Sequence, residues 1–215
     1  MLETSKVGRY RQVFERLQRD YKGHVIAQSF LRQDQVLANN QSNYLFRFLA
    51  EQGIPSLPQQ YLSRTDKFVV VCAGLYIFAD DDAKPGTAVL QTFPNGTVFA
   101  GGTVKDLEVI YQGLLKYQTD NVVMMDSLAT QKFRHVPETQ QSGTIPNSSY
   151  GLDYGLVELP NRLVIDGASK NEFNLEIPTF TGIDLDNGTE GVTNKVALFL
   201  DGFLVEGAAK GSYRR

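Results

Sequence analysis

The sequence predicts a mainly β protein: an antiparallel β-sandwich, specifically a jelly roll, preceded by an N-terminal amphipathic helix. Phe and Tyr, which favour pleated and half-buried surfaces, number 13 and 10 in a chain of 215 residues. After Lys22, apolar side chains alternate with period two in several short segments, which Gly, Pro, Asn and Asp separate. Helical segments do not alternate with these strands, which argues against a parallel α/β fold. The length suits one all-β domain.

Residues 1–22 are predicted to form a basic amphipathic helix or arm. Its apolar stripe recurs at spacings of three and four residues and consists of Val7, Tyr10, Phe14, Leu17 and Tyr21. Thr4 or Ser5 can cap the start of the helix, and Gly23 can end it. The other side is basic and contains Arg9, Arg11, Arg16 and Arg19. The stripe can pack on the chain's own core or on a neighbouring subunit, and the sequence leaves both open.

Residues 23–215 are predicted to form the β-sandwich domain, with roughly eight to ten short strands. In residues 44–48, Tyr44, Phe46 and Phe48 share one side of a strand. Residues 68–78 contain few charges, which predicts a strand that is buried on both faces or central in its sheet. Residues 104–116 suit a short helix or a strand, and residues 137–155 suit a long loop. Further strands are expected at residues 87–93 and 97–99, as a hairpin around Pro94-Asn95-Gly96, and at residues 121–125, 162–165, 172–177 and 196–205.

The formal net charge of −3 is unevenly distributed along the chain. Residues 1–22 and the C-terminal end, with Lys210, Arg214 and Arg215, are basic, so the body between them is acidic. Such ends are solvated, or they make a weak, sequence-independent contact with nucleic acid or an acidic neighbour. The one cysteine, Cys72, lies in an apolar run and is expected to be a buried small hydrophobe. Because the sequence shows no signal-peptide or membrane-span pattern, we expect folding in the cytoplasm.

Sequence motifs for catalysis or cofactor binding are missing. There is no Gly-x-Ser-x-Gly elbow, phosphate loop or Gly-x-Gly-x-x-Gly fingerprint, and neither His24 nor His135 has a partner at metal-ligand spacing. Asp184 and Asp186 resemble a fragment of a calcium loop, but the pattern is not completed because the required final glutamate is missing. These aspartates and the acidic run 80–82 are interpreted as turn residues. The sequence therefore predicts a non-enzymatic protein without a catalytic, cofactor or metal site.

Four phrases along the chain resemble structural proteins of bacteriophages, including jelly-roll coat proteins. They are residues 62–68 leading into an apolar strand, residues 90–95, the run Ile110-Tyr-Gln-Gly113, and residues 167–178. The resemblance implies a capsid subunit of a virion that folds in the host cytoplasm and self-assembles into capsomers. It also implies contacts with copies of itself and with other virion proteins. The basic arm would then face the genome or an inner membrane.

Two sets of contact residues follow from this hypothesis. The set expected to contact nucleic acid or the inner face is Arg9, Arg11, Arg16 and Arg19. The set expected at a subunit interface is Phe14, Leu17, Phe133 and Arg134. Other functions share this composition: another virion component, such as a head–tail connector, ring or tail protein; a carbohydrate-binding β-sandwich module, with Tyr150 and Tyr154 as platforms; or an enzyme with an unrecognised site.

Overall fold

The computed structural model describes residues 3–48, 61–99, 103–136, 155–178, 182–186 and 189–209, with side chains from residue 8 onward except 160–162. The described chain is mainly β. Its two α-helices are α1 (Glu3–Asp20) and α2 (Thr103–Asp106), and 3-10 helices span Leu107–Gln112 and Thr130–Phe133. Its strands are β1 (Ile26–Val36), β2 (Asn43–Arg47), β3 (Lys67–Asp81), β4 (Leu114–Thr119), β5 (Val122–Ala129), β6 (Val157–Asp166), β7 (Asn171–Glu176) and β8 (Val192–Val205).

The strands form two four-stranded antiparallel sheets with the connectivity of a jelly roll. Sheet A has the order β1-β8-β3-β6, and sheet B has the order β2-β7-β4-β5. The pairs β1–β8, β2–β7, β3–β6 and β4–β5 are nested, as in one long hairpin that is rolled up so that alternate pairs fall in opposite sheets. The pairs β3–β8 and β4–β7 then join neighbouring turns of the roll. This order confirms the predicted antiparallel sandwich and its N-terminal helix.

The space between the sheets is filled by apolar side chains, many of them aromatic. In β2 the predicted alternation is confirmed, because Tyr44 and Phe46 are fully buried and Phe48, just after the strand, is buried with them. Phe173 of β7 stacks on Tyr117 of β4, with ring centroids 4.4 Å apart. The Tyr117 hydroxyl donates a hydrogen bond to the Asn171 side chain, which satisfies the polar atom inside this apolar layer.

Strand β3 changes face in its middle, which period-two reasoning cannot foresee. The pairing of β3 with β6 and with β8 shifts register between Val70 and Cys72, which marks a β-bulge at Val71. Val71 and Cys72 therefore both lie on the outer face of sheet A, while Phe68 and Ala73 belong to the inner core. The prediction of a central strand buried on both faces is confirmed, because β3 lies between β8 and β6 and is buried almost throughout.

Helix α1 packs on the outer face of sheet A. Leu17 is fully buried against a cluster that includes Val69 and Phe203, and Tyr10, Val13, Phe14 and Tyr21 are partly buried there. The helix ends at Asp20, and Gly23 follows with φ of 85°, a left-handed conformation that glycine adopts without strain. The described part of the apolar stripe thus packs on this chain's own sheet.

The predicted hairpin at residues 87–99 is wrong. Gln91 forms a single bridge to Ile77, and Val98 and Phe99 donate backbone hydrogen bonds back to the Asn95 carbonyl in a compact turn. The segment makes no ladder because Ala88 and Leu90 fold over the other end of sheet A, against a cluster that contains Phe78. Both ends of the outer face of sheet A are therefore covered.

Among the remaining predictions, the strands at residues 121–125, 162–165, 172–177 and 196–205 correspond to β5, β6, β7 and β8. Residues 104–116 contain both alternatives, since a helical segment over Thr103–Gln112 is followed by the start of β4. Most of the predicted loop at residues 137–155 lies outside the described residues. Within the described ranges, no helix combines the length and apolarity needed to cross a membrane.

Candidate functional site

Two of the predicted interface residues are used inside the fold. Leu17 and Phe133 are both 0% exposed, Leu17 beneath α1 and Phe133 in the core between the sheets. The prediction that they contact a neighbouring subunit is wrong, because no part of either side chain reaches the surface. Phe14 is half-buried, and its ring lies 5.6 Å from that of Phe203 on β8, measured between centroids.

Arg134 is on the surface but already paired. Its guanidinium donates two hydrogen bonds, of 2.8 and 2.7 Å, to the carboxylate of Glu108. This bidentate contact raises the pKa of Arg134, and it holds the end of the 3-10 helix Thr130–Phe133 against the helical segment that precedes β4. The side chains of Arg134 and Glu108 remain about one-third exposed, at 35% and 33%.

The four arginines of α1 have different environments. Arg9 is turned toward sheet A, where it donates to the Glu158 carboxylate at 2.7 Å and to the Leu159 carbonyl. Arg11, Arg16 and Arg19 are exposed. Within the helix, Arg11 pairs with Glu15 at 2.9 Å and Arg16 lies 3.7 Å from Asp20, so part of the basic charge is locally balanced.

The most exposed apolar strand of the structure is β5, at the edge of sheet B. Val122, Val123 and Met124 are consecutive and are 58%, 56% and 51% exposed. Consecutive strand residues point to opposite sides, so both faces of this part of β5 are open to solvent. Because β5 pairs only with β4, its outer backbone N–H and C=O groups face away from the sheet. An apolar edge of this kind is a site for pairing with another strand.

A tight turn sets the position of this exposed edge. Asp120 and Asn121 both have positive φ, at 47° and 67°, as a two-residue hairpin turn of the I′ type requires. The Asp120 carboxylate accepts a hydrogen bond of 2.8 Å from the backbone N–H of Lys170, which ties the turn to the start of β7. The sequence indicated a strand here, but periodicity could not show that its apolar residues are exposed.

The outer face of sheet B is polar and concave, with a cavity volume of about 530 Å³. At its centre, the Glu172 side chain is only 6% exposed and accepts hydrogen bonds from Arg47 at 2.8 Å and from Gln118 at 2.9 Å, with the Lys170 ammonium 3.1 Å away. Burial raises the pKa of Glu172, but the contacts from Gln118, Lys170 and Arg47 outweigh it, so the pKa is lowered. A second pair, Lys116–Glu176, lies 2.8 Å apart on the same face.

This polar face does not resemble a sugar-stacking platform. Its outward side chains come from alternate positions of β2, β7 and β4, and in the described residues they include no aromatic ring; the Tyr117 ring, although it lines the cavity, points into the core. Sugar-binding sites commonly use exposed aromatic rings for stacking. The predicted platforms Tyr150 and Tyr154 lie outside the described residues.

The residues considered for chemistry have structural partners. His24 Nδ1 forms a 2.9 Å hydrogen bond with the Glu206 carbonyl, and Cys72 is buried at 2% exposure. The Asp184 carboxylate accepts from the backbone N–H of Asp186, which is turn chemistry. In the part of the chain that the structure describes, no group of three or more His, Cys, Asp or Glu side chains is arranged to hold a metal ion.

Comparison of the chain with protein-family models, with curated proteins and with solved structures finds no match. The class of protein is therefore defined by the structure itself. It is an eight-stranded jelly roll with a helix on one sheet and an exposed apolar edge on the other.

Proposed function

We propose that the chain is a structural subunit of a bacteriophage virion, namely a coat subunit that assembles into capsomers with copies of itself. The observation that carries this proposal is the nested connectivity of the eight strands, since the jelly roll is an architecture of viral capsid proteins. Lectin domains and cupins also use it, and a fold alone does not define a function. The surface must therefore supply the rest of the support.

The surface of the molecule suits contact between identical subunits. Sheet A is covered on its outer face, so its strands form a rigid support. Sheet B presents an unpaired strand with three exposed apolar residues, next to a face of balanced charges. The same edge on two copies can pair antiparallel about a twofold axis, and such self-complementary contacts build closed assemblies. A coat subunit needs surfaces of this kind and needs no reaction centre.

Contacts with other virion components extend this proposal. Arg11, Arg16 and Arg19 lie on the solvent side of α1 and can meet the genome or an inner membrane, whereas Arg9 is held by Glu158. Because Arg11 and Arg16 have carboxylate neighbours one helical turn away, this contact should be weak and salt-dependent. The protein would fold in the host cytoplasm and then reside in the virion.

Electron microscopy and light scattering of the purified full chain test this function. Closed shells or capsomers that form at rising protein concentration would support a coat subunit. Rings or tubes would replace the coat subunit by a head–tail connector, ring or tail protein. A chain that stays monomeric at high concentration and in low and high salt would overturn the proposal.

A further inference from the structure

A row of polar side chains crosses the outer face of sheet A beneath α1. Glu158 of β6, Cys72 of β3 and Asp201 of β8 are direct neighbours across the strands, at the point where the bulge turns Cys72 outward. Helix α1 places two consecutive residues over this row. Arg9 bonds to Glu158 at 2.7 Å, and the Tyr10 hydroxyl donates to the Asp201 carboxylate at 2.5 Å.

The apolar contact of α1 with the sheet is small. Of the described stripe residues, Leu17 is fully buried, while Tyr10, Phe14 and Tyr21 are only partly so. The helix also leads into β1 through a short turn in which Gly23 has a left-handed conformation. Much of the specific attachment of α1 therefore comes from polar contacts, and polar contacts respond to the state of their charges.

We propose that α1 is a releasable cover of sheet A, which is held by Arg9 and Tyr10 on the polar row and hinges at the turn after Asp20. When the cover lifts, the outer face of the sheet becomes accessible, including Val69, Phe203 and Cys72. This inference concerns the motion of α1 and does not depend on the virion function.

Charge on Asp201 gives the release a pH dependence. Burial raises the pKa of Asp201, although the hydrogen bonds from Tyr10 and the Gly202 backbone oppose the shift. A carboxyl group whose pKa is raised in the docked state favours docking when protonated, so docking weakens as the pH rises through that raised value. Burial, followed by the contacts with Asp201 and Cys72, raises the pKa of Tyr10, so its hydroxyl remains a donor.

Other groups face the row and must be separated from Asp201. Arg9 comes from α1, Cys72 from β3 and Glu158 from β6, while the neighbour of Asp201 on β1 is Phe30, which does not titrate. Protonation of Glu158 in acid removes its charge pair with Arg9, which acts in the opposite direction to Asp201. The Glu158→Gln variant removes this opposing effect and leaves Asp201 as the carboxyl group that titrates in the row.

Alkylation of Cys72 by iodoacetamide measures the release, because it is the only cysteine of the chain and is buried under the helix. Dividing the rate in the urea-unfolded chain by the rate in the native chain, at the same pH, gives a protection factor independent of thiol ionisation. Tyr10→Phe should lower protection roughly tenfold, the factor that corresponds to one lost hydrogen bond. The matched control Arg11→Gln, on the solvent side, should change it less than about twofold.

The pH series and a urea series decide the outcome. In the Glu158→Gln background, protection should fall as the pH rises above the ordinary carboxyl range, and the additional Asp201→Asn change should make it independent of pH. Low urea should speed labelling less steeply than it promotes global unfolding, as followed by circular dichroism. Equal protection in Tyr10→Phe and Arg11→Gln would overturn the proposal, as would a urea dependence equal to that of global unfolding.

Discussion

Sheets A and B are built from strands of different length and use their outer faces differently. In sheet A, β3 and β8 have 15 and 14 residues, and α1 and residues 88–90 cover the outer face. In sheet B the strands have five to eight residues, and the outer face consists of paired charges and amides that remain partly open to water. Sheet A thus supplies stability, and sheet B presents the surface that is free for contacts.

The strongest test of this difference is a charge placed on either side of one strand of sheet B. Phe46→Asp should lower the free energy of unfolding by about 4 kcal/mol or more, because it buries an unpaired carboxylate in the core. Leu45→Asp, on the neighbouring residue that faces the polar cavity, should cost less than about 1 kcal/mol. Urea denaturation of both variants measures the two values. Equal losses would mean that the two faces of β2 do not differ as described.

A glycine pair tests the packing of sheet A against that of its cover. At Gly202, which pairs with β3 at the bulge, a Cβ atom would lie 2.0 Å from the Val69 carbonyl oxygen, so Gly202→Ala should destabilise by about 3 kcal/mol. At Gly8, inside α1, a Cβ atom has no neighbour within 4 Å, and Gly8→Ala should stabilise by about 0.5 kcal/mol. Thermal melts check both signs. A neutral Gly202→Ala would argue against the bulge.

The sequence predicts best those segments in which local pattern and burial coincide. Tyr44 and Phe46 alternate because only one face of β2 meets the core, and β3 is apolar throughout because both of its faces are covered. The antiparallel sandwich and the helix could be predicted from such signals. The stripe of α1 was visible too, but which surface it would cover depended on a sheet whose outer face the bulge reshapes.

Tertiary context decided the features that sequence reasoning missed. The residues around Pro94-Asn95-Gly96 carry a hairpin signal, yet Ala88 and Leu90 gain more by covering Phe78 than by extending a ladder. Phe133 and Leu17 looked suited to an interface because their types favour contacts, but both complete the chain's own packing. Conversely, Val122–Met124 read as an ordinary apolar strand, and only the strand order shows that it lies at an edge.

Substitutions on β5 have the smallest expected effect on stability and the largest on assembly. Val123→Lys places a charge on an exposed edge position, so unfolding free energy should change by about 0.5 kcal/mol or less. An edge lysine opposes strand pairing between molecules, so oligomers that use this edge should dissociate. Val89→Lys, at a valine that is 70% exposed and lies outside the strands of both sheets, is the matched control.

Sedimentation velocity of the wild type, Val123→Lys and Val89→Lys at one protein concentration compares these surfaces directly. We expect the wild type and Val89→Lys to sediment as the same oligomer and Val123→Lys to sediment as a folded monomer. Oligomers of equal size in all three proteins would contradict pairing through β5, and monomers in all three would contradict self-assembly itself.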